Sequence, residues 1–555
     1  SQSQAEESMA ALEVTLLDYG AGNVRSVENA IKECGYTLKR VQTAEDISKA
    51  KALIFPGVGA FGCAMDALAQ QGFTETLREY LRADRPFLGI CLGMQTLFEG
   101  SDEALGLPGL GIIPGHVERF DAEQLQQSVP HIGWNGVKVH KDTCLTECLS
   151  REGTQVYFVH SFRVPVIEAN RPYVLCTTNY GNEEFISAVQ YGNIVATQFH
   201  PEKSSATGLR IFKSFLDRVA SGEAIGTERA LAVPDAPTQL SRRVIACLDV
   251  RTNDEGDLVV TKGDQYKVRE TSEEKGKGEV RNLGKPVDLA QRYYEEGADE
   301  ITFLNITSFR EGVLQDMPML QVLQHASART FVPLTVGGGI REYTDRRTHI
   351  TWSALDVAAT YFRAGADKVS IGSDAVYAAE RYFSSGNTVD GESSIEQIAL
   401  VYGSQAVVVS IDPRRAYVPS AEDAPPGTTV LEVKDLKTGA MRLCWYQCTV
   451  KGGREGRQID AIQLAKASEA LGAGEILLNC VDMDGQGQGF DHALVDAVAR
   501  AVHIPVIASS GAGAAEHFSN VFSATRCDAA LAAGIFHRHE VAINDVKKHV
   551  RDSGV

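Results

Sequence analysis

The stretch RRVIACLDVR (242–251) finds a counterpart further along the chain in AVVVSIDPRR (406–415). Three more pairs follow in the same order: GADEITFLNI (297–306) with GAGEILLNCVD (472–482), FVPLTVGGGI (331–340) with HIPVIASSGAG (503–513), and GADKVSIGSDAV (365–376) with CDAALAAGIFH (527–537). Each segment is an almost unbroken apolar run, and each is followed by a helical pattern. Continuous apolar strands separated by helices mark a parallel sheet covered on both faces. Eight such units predict an α/β fold of the (β/α)8 barrel type, with an internal twofold repeat, over residues 242–555. An open doubly wound sheet competes with this reading, but it has no need of two matched sets of four.

Toward the N-terminus, SGEAIGTERALAVPDAPTQLS (221–241) loses periodicity and carries two prolines, so it is expected to be a linker. Residues 9–220 alternate short apolar runs with helical stretches. LEVTLLDYG (12–20), KALIFPG (51–57), PFLGICLG (86–93) and NIVATQFHPE (193–202) read as strands, while NVRSVENAIKECGY (23–36) and FTETLREYLRA (73–83) read as helices. This is a mixed α/β domain.

Composition narrows the class. The chain has 555 residues, too many for one compact core, with 44% hydrophobic and 23% charged residues, which excludes wholesale disorder. Its 54 basic against 72 acidic residues leave a net charge of −18, a poor basis for nucleic-acid binding, which needs a basic face. No apolar run is long enough to span a bilayer and the first residues lack a signal-peptide core, so no membrane association is expected. Eleven scattered cysteines fit reduced thiols in an intracellular compartment, plastid stroma or cytoplasm. The pairs Cys144/Cys148 and Cys444/Cys448 have no further ligands at zinc spacing, so neither a metal nor another cofactor is expected. A monomer is expected.

Gly89-Ile90-Cys91-Leu92-Gly93 has the form of a nucleophile elbow, with flanking glycines that permit a sharp strand-to-helix turn. His200 and Glu202 end the run ATQFHPE: the histidine can activate a thiol and the carboxylate can hold its tautomer. Gly57-Val58-Gly59-Ala60-Phe61-Gly62 fits the dinucleotide pattern, yet Pro56 at the strand end and the elbow downstream argue against a nicotinamide site.

GICLGMQ and QFHPE, in this order, resemble the class I glutamine amidotransferases. That resemblance implies a triad of Cys91, His200 and Glu202 that hydrolyses glutamine through a thioester. It further implies glutamine binding by Gln95, and an oxyanion hole from the backbone of Gly57, Val58 and Gly59.

In barrels of this kind the active site lies at the C-terminal ends of the strands. Asp249 and Asp412 end the first and fifth strand segments, matching positions in the two halves. Two carboxylates across one mouth suit general acid and general base roles when their surroundings separate their pKa values. Gly338 and Gly339, Gly372 and Ser373, Gly511, and Ala533 and Gly534 end the remaining strands and can present backbone amides to phosphate. Two such groups predict a ligand phosphorylated at both ends. The long polar stretch 251–284 reads as a lid, with Lys262 as its contact to substrate.

RRVIACLD, VPLTVGGGI, GADKVSIG and PVIASSGAG resemble the histidine-biosynthesis barrel family, so that glutaminase, linker and cyclase parts account for nearly the whole chain. The resemblance implies that ammonia from glutamine reacts with a bisphosphorylated formimino-aminoimidazole-carboxamide ribonucleotide. The expected products are imidazole glycerol phosphate and aminoimidazole-carboxamide ribonucleotide, with Asp249 and Asp412 as the acid/base pair. It also implies an ammonia path along the barrel interior, gated by Arg243, Glu300, Lys368 and Glu475, and a contact role for PHIGWN (130–135). Surface salt bridges are the plainer reading of those four charges. A barrel isomerase with an unrelated glutaminase, and a glutamine sensor built on inactive domains, are the competing functions.

Overall fold

The computed structural model describes residues 12–555 except 21, 58, 144, 150–152, 253–257, 262–285, 306–316 and 345–348. Val58, Lys262 and most of the expected lid therefore lie outside the described residues. The chain forms two compact units that part between Ser241 and Arg242.

The first unit is built on an eight-stranded sheet. Its strands are β1 (Glu13–Leu16), β2 (Thr37–Arg40), β3 (Leu53–Gly57), β4 (Phe87–Cys91), β5 (Lys138–Val139), β6 (Val174–Tyr180), β7 (Glu183–Tyr191) and β8 (Ile194–Thr197), in the spatial order β2-β1-β3-β4-β8-β7-β6-β5. From β2 to β8 the pairing is parallel, and from β8 to β5 it is antiparallel. β3 and β4 are buried along their whole length, as expected of central strands covered on both faces. Their C-terminal ends lie side by side, with Gly57 directly opposite Cys91.

The stretch read as a linker carries more structure than its composition predicts. Gly226–Ala230 pairs antiparallel with Lys141–Thr143, Leu240 bridges Asn135, and Thr238 exchanges hydrogen bonds with Asn179 at 2.8 and 3.1 Å. Such docking uses backbone and small polar groups, so it leaves no hydrophobic period to read.

In the second unit, β9 (Arg243–Thr252), β10 (Glu300–Asn305), β11 (Leu334–Gly337), β12 (Lys368–Ile371), β13 (Val407–Ile411), β14 (Glu475–Asn479), β15 (Val506–Ser509) and β16 (Ala529–Ala532) pair in chain order. All neighbours are parallel, and β16 pairs back with β9 to close a barrel. Each strand coincides with one of the apolar segments read from the sequence. Ile245, Cys247, Val408, Leu477, Ile507, Ala529 and Leu531 form a packed cluster of barrel-strand residues.

The turns that return the chain to the barrel are locally encoded. Helix Ala354–Ala364 starts with a capping box between Ser353 and Asp356 and stops at Gly365, whose φ of +119° is open to glycine at little cost. Three residues later β12 begins.

After β13 the chain leaves the barrel for an antiparallel arm of four strands, Pro413–Val418, Val430–Lys434, Met441–Val450 and Glu455–Asp460. Arg415 anchors this arm through Asp491, at 2.9 Å from Nε and 2.6 Å from Nη2, and Tyr446 donates to the same carboxylate at 2.9 Å.

Candidate active sites

Cys91 adopts φ +50° and ψ −103°, a conformation that costs a non-glycine residue on the order of 1–3 kcal/mol. Close packing of the elbow against β3 holds it there. A Cβ on Gly93 would stand 2.1 Å from the Phe55 carbonyl oxygen, and one on Gly57 would stand 2.4 Å from Leu92 Cβ. The glycines are thus demanded by backbone approach, and the result is a cysteine displayed on a strained strand-to-helix turn.

His200 and Glu202 follow β8 and are both buried, with Nδ1 to Oε1 at 2.7 Å. A carboxylate can only accept, so Nδ1 carries the hydrogen and Nε2 is left for the thiol. Burial pulls the His200 pKa down, but Glu202 and the Cys91 sulfur outweigh it and hold it well above the usual histidine range. The three residues therefore form one electrostatic unit able to stabilise an imidazolium beside a sulfur anion. Gln95, expected at the glutamine subsite, is buried beside them and donates to Gln198 Oε1 at 3.0 Å.

In the barrel, a cavity of about 500 Å³ opens where the strands end and contains both Asp249 and Asp412. Asn479 Nδ2 donates to Asp412 at 2.8 Å and to Ser410 Oγ at 3.0 Å, which fixes the Asp412 carboxyl in orientation. Burial raises the Asp412 pKa, while the hydrogen bonds it accepts from Asn479 and from Ser410 Oγ, at 3.4 Å, lower it. The Asp249 carboxyl instead meets the Cys247 thiol at 4.0 Å; burial first, and the charge of Asp484 second, push its pKa up to about 7. The two carboxyls thus sit in different surroundings within one cavity, as paired acid and base groups require.

The shift of Asp249 predicts a stability effect with a definite sign. The folded chain binds that proton more tightly than the unfolded chain, so Asp249 costs stability progressively as pH rises from about 4 to about 7. Asp249→Asn removes the cost. Its melting temperature relative to the parent should therefore climb between about pH 4 and pH 7, as read by calorimetry; a difference that stays flat with pH would rule the argument out.

Of the expected phosphate residues, Gly511, Ala533 and Gly534 line the cavity. Gly338, Gly339, Gly372 and Ser373 are not among the residues that line this cavity. Ser373 Oγ instead accepts from the Lys451 amide at 3.0 Å, on the arm turn whose Gly452 and Arg454 form part of the cavity wall.

At the opposite ends of the strands, Arg243, Glu300, Lys368 and Glu475 are the first residues of β9, β10, β12 and β14. No side chain among them is more than 1% exposed, so they are not surface salt bridges. Arg243 reaches Glu300 at 3.0 Å and also bonds Glu475, while Lys368 bonds Glu300 at 2.7 Å and Glu475 at 2.6 Å. Thr335 Oγ1 adds a bond to Glu300 at 2.6 Å. Two cations and two anions close a cyclic network, which satisfies the pairing that buried charge demands. Burial would raise the Glu475 pKa, yet Arg243 and Lys368 bring it below the ordinary value.

The sequence reading missed Gln198, Thr335, Asn479, Asp484 and Arg454. Gln198 stood within the quoted QFHPE run, and Asn479 and Asp484 within or just after GAGEILLNCVD, so proximity to a strand end was their only local signal.

Comparison with known proteins agrees with both halves. A family model of histidine biosynthesis proteins matches residues 243–542, and one of class I glutamine amidotransferases matches residues 15–219. A chloroplastic imidazole glycerol phosphate synthase of Arabidopsis thaliana is 57% identical over 98% of this chain and 89% of its own length. The chain belongs to the imidazole glycerol phosphate synthase family. The imidazole glycerol phosphate synthase of Schizosaccharomyces pombe is 52% identical over 97% of this chain and 98% of its own. A subunit of the imidazole glycerol phosphate synthase of Methanocaldococcus jannaschii is 38% identical over 57% of this chain and 98% of its own. The activity is that of an imidazole glycerol phosphate synthase in histidine biosynthesis, a glutaminase joined to a cyclase. Among the described residues no helix is long and apolar enough to cross a membrane.

Proposed function

We propose that residues 9–220 release ammonia from glutamine and that the barrel, residues 242–555, consumes it. In this reading Cys91 attacks the side-chain amide and His200 first takes the thiol proton and then gives it to departing ammonia. Glu202 holds the imidazole tautomer. Backbone amides of Gly57, Val58 and Gly59 receive the oxyanion, and Gln95 binds the substrate. Ammonium dominates in neutral water and is not nucleophilic, so a protected route favours the reaction. The ring of Arg243, Glu300, Lys368 and Glu475 at the strand starts is the proposed gate of that route.

The acceptor is a bisphosphorylated formimino-aminoimidazole-carboxamide ribonucleotide. Asp412 and Asp249 move protons during cyclisation, one phosphate rests on the Gly511, Ala533 and Gly534 amides, and Gly338, Gly339, Gly372, Ser373 and Lys262 serve the other. The observation that carries this reading is the pairing, in one chain, of a Cys91–His200–Glu202 unit with a cavity holding two carboxyls in unlike surroundings.

Glutamine carrying heavy nitrogen in its amide, supplied with excess unlabelled ammonium, tests the route. Mass spectrometry of imidazole glycerol phosphate should find the heavy label well above its ratio in bulk solution. Dilution to the ratio in bulk solution would sink the protected passage.

A further inference from the structure

The triad does not account for everything that touches the Cys91 sulfur. Gln198, fully buried, points its Nε2 at Sγ from 3.4 Å. Behind it runs a hydrogen-bonded chain whose polarity can be worked out atom by atom. His160 Nδ1 lies 2.7 Å from the carbonyl oxygen of Phe162, which can only accept, so Nδ1 is the donor. In a neutral imidazole, Nε2 must then accept, and it faces His131 Nδ1 at 3.1 Å. His131 Nδ1 is therefore also a donor, and His131 Nε2 accepts from Asn135 Nδ2 at 3.4 Å. The same Phe162 carbonyl accepts from Gln95 Nε2 at 3.2 Å, and the other hydrogen of that amide goes to Gln198 Oε1 at 3.0 Å.

This arrangement leaves Gln198 no choice of rotamer. Its oxygen is committed to Gln95, so its N–H must face the sulfur; a flipped amide would set N–H against N–H on one side and oxygen against sulfur on the other. The two histidines are locked as well. Burial keeps the His131 pKa well below the usual value and takes that of His160 down to about 3, so both stay neutral. Their rings are packed, His131 lying 4.0 Å from Tyr180 and 4.8 Å from Phe158 between ring centres.

We infer that Gln198 is a further catalytic residue of the glutaminase, a fixed donor that favours the Cys91 thiolate, and that the His131–His160 pair is its positioning element. Hydrogen bonds to an ionised acceptor are about twice as strong as those between neutral groups, so a donor at this place stabilises thiolate over thiol. The titratable groups that act on the sulfur are His200 and Tyr19, with Cys63, Asp18 and Glu103 around the tyrosine. The inference rests on Cys91 as the nucleophile.

The test uses the full chain with Gln198→Leu, and Gln198→Met as an unbranched replacement should leucine not be accommodated. Alkylation of Cys91 by iodoacetamide is followed across pH by mass spectrometry of its peptide, because the chain has eleven cysteines. Loss of the donor should move the midpoint upward by about one unit, a tenfold loss of thiolate at fixed pH, with kcat for glutamine falling by about the same factor. His160→Phe keeps an aromatic ring in place but removes one of the two donors to the Phe162 carbonyl, and should raise the KM for glutamine through Gln95. A merely structural Gln198 would lower the amount of active protein without moving the midpoint. An alkylation profile that coincides with the parent's overturns the inference. Glutamine hydrolysis that survives in Cys91→Ala overturns the prior assignment instead, so the two failures are distinguishable.

Discussion

Cys91→Ala should lower glutamine-dependent synthesis by at least about a thousandfold while synthesis from added ammonium salt continues. The size follows from the role. Without the sulfur no thioester forms, and the His200–Glu202 pair is left with no nucleophile to activate. Folding is not at issue in this variant, because alanine needs no more room than the cysteine Cβ already fills at φ +50°. Steady-state assays with each nitrogen source check the prediction. Full glutamine-dependent turnover in the variant would remove Cys91 from the mechanism.

Asp412→Asn should abolish cyclisation with glutamine and with ammonium alike. General acid–base catalysis contributes about a hundredfold to ten-thousandfold, and an amide cannot exchange the proton. The local structure tolerates the change, since an asparagine oxygen still accepts from Asn479 as the carboxylate does at 2.8 Å. Asp249→Asn offers a useful comparison, because its carboxyl meets the Cys247 thiol rather than an amide donor and its pKa is pushed up to about 7. Product formation from ammonium, followed by mass spectrometry, checks the prediction; an unchanged rate in Asp412→Asn would exclude a proton-transfer role.

Much of the fold was legible because the relevant forces are local. A strand covered on both faces must be apolar along its length, so all eight barrel strands fall on the segments that start from RRVIACLDVR. The elbow was legible partly for the same kind of reason: Gly89 answers to the nearby backbone of Gly93, whereas Gly93 answers to the Phe55 carbonyl on β3. The arm between Pro413 and Asp460 was opaque, although its strands are regular. Its antiparallel partners are set by pairing rather than by burial of one clear face, and its turn at Gly452 and Arg454 occupies space that no local pattern assigns.

By itself, then, the sequence determined the order of elements, the barrel, the cysteine elbow and the two aspartates that line the barrel cavity, because burial and turn chemistry write themselves into neighbouring residues. Only the tertiary structure decided which side chains meet. Arg243 and Glu475 are 232 positions apart and Gln198 is 107 from Cys91, yet each pair is in hydrogen-bond contact. Closing the barrel and the sheet brings them together, and a contact made by closure leaves no period in the chain from which it could be read.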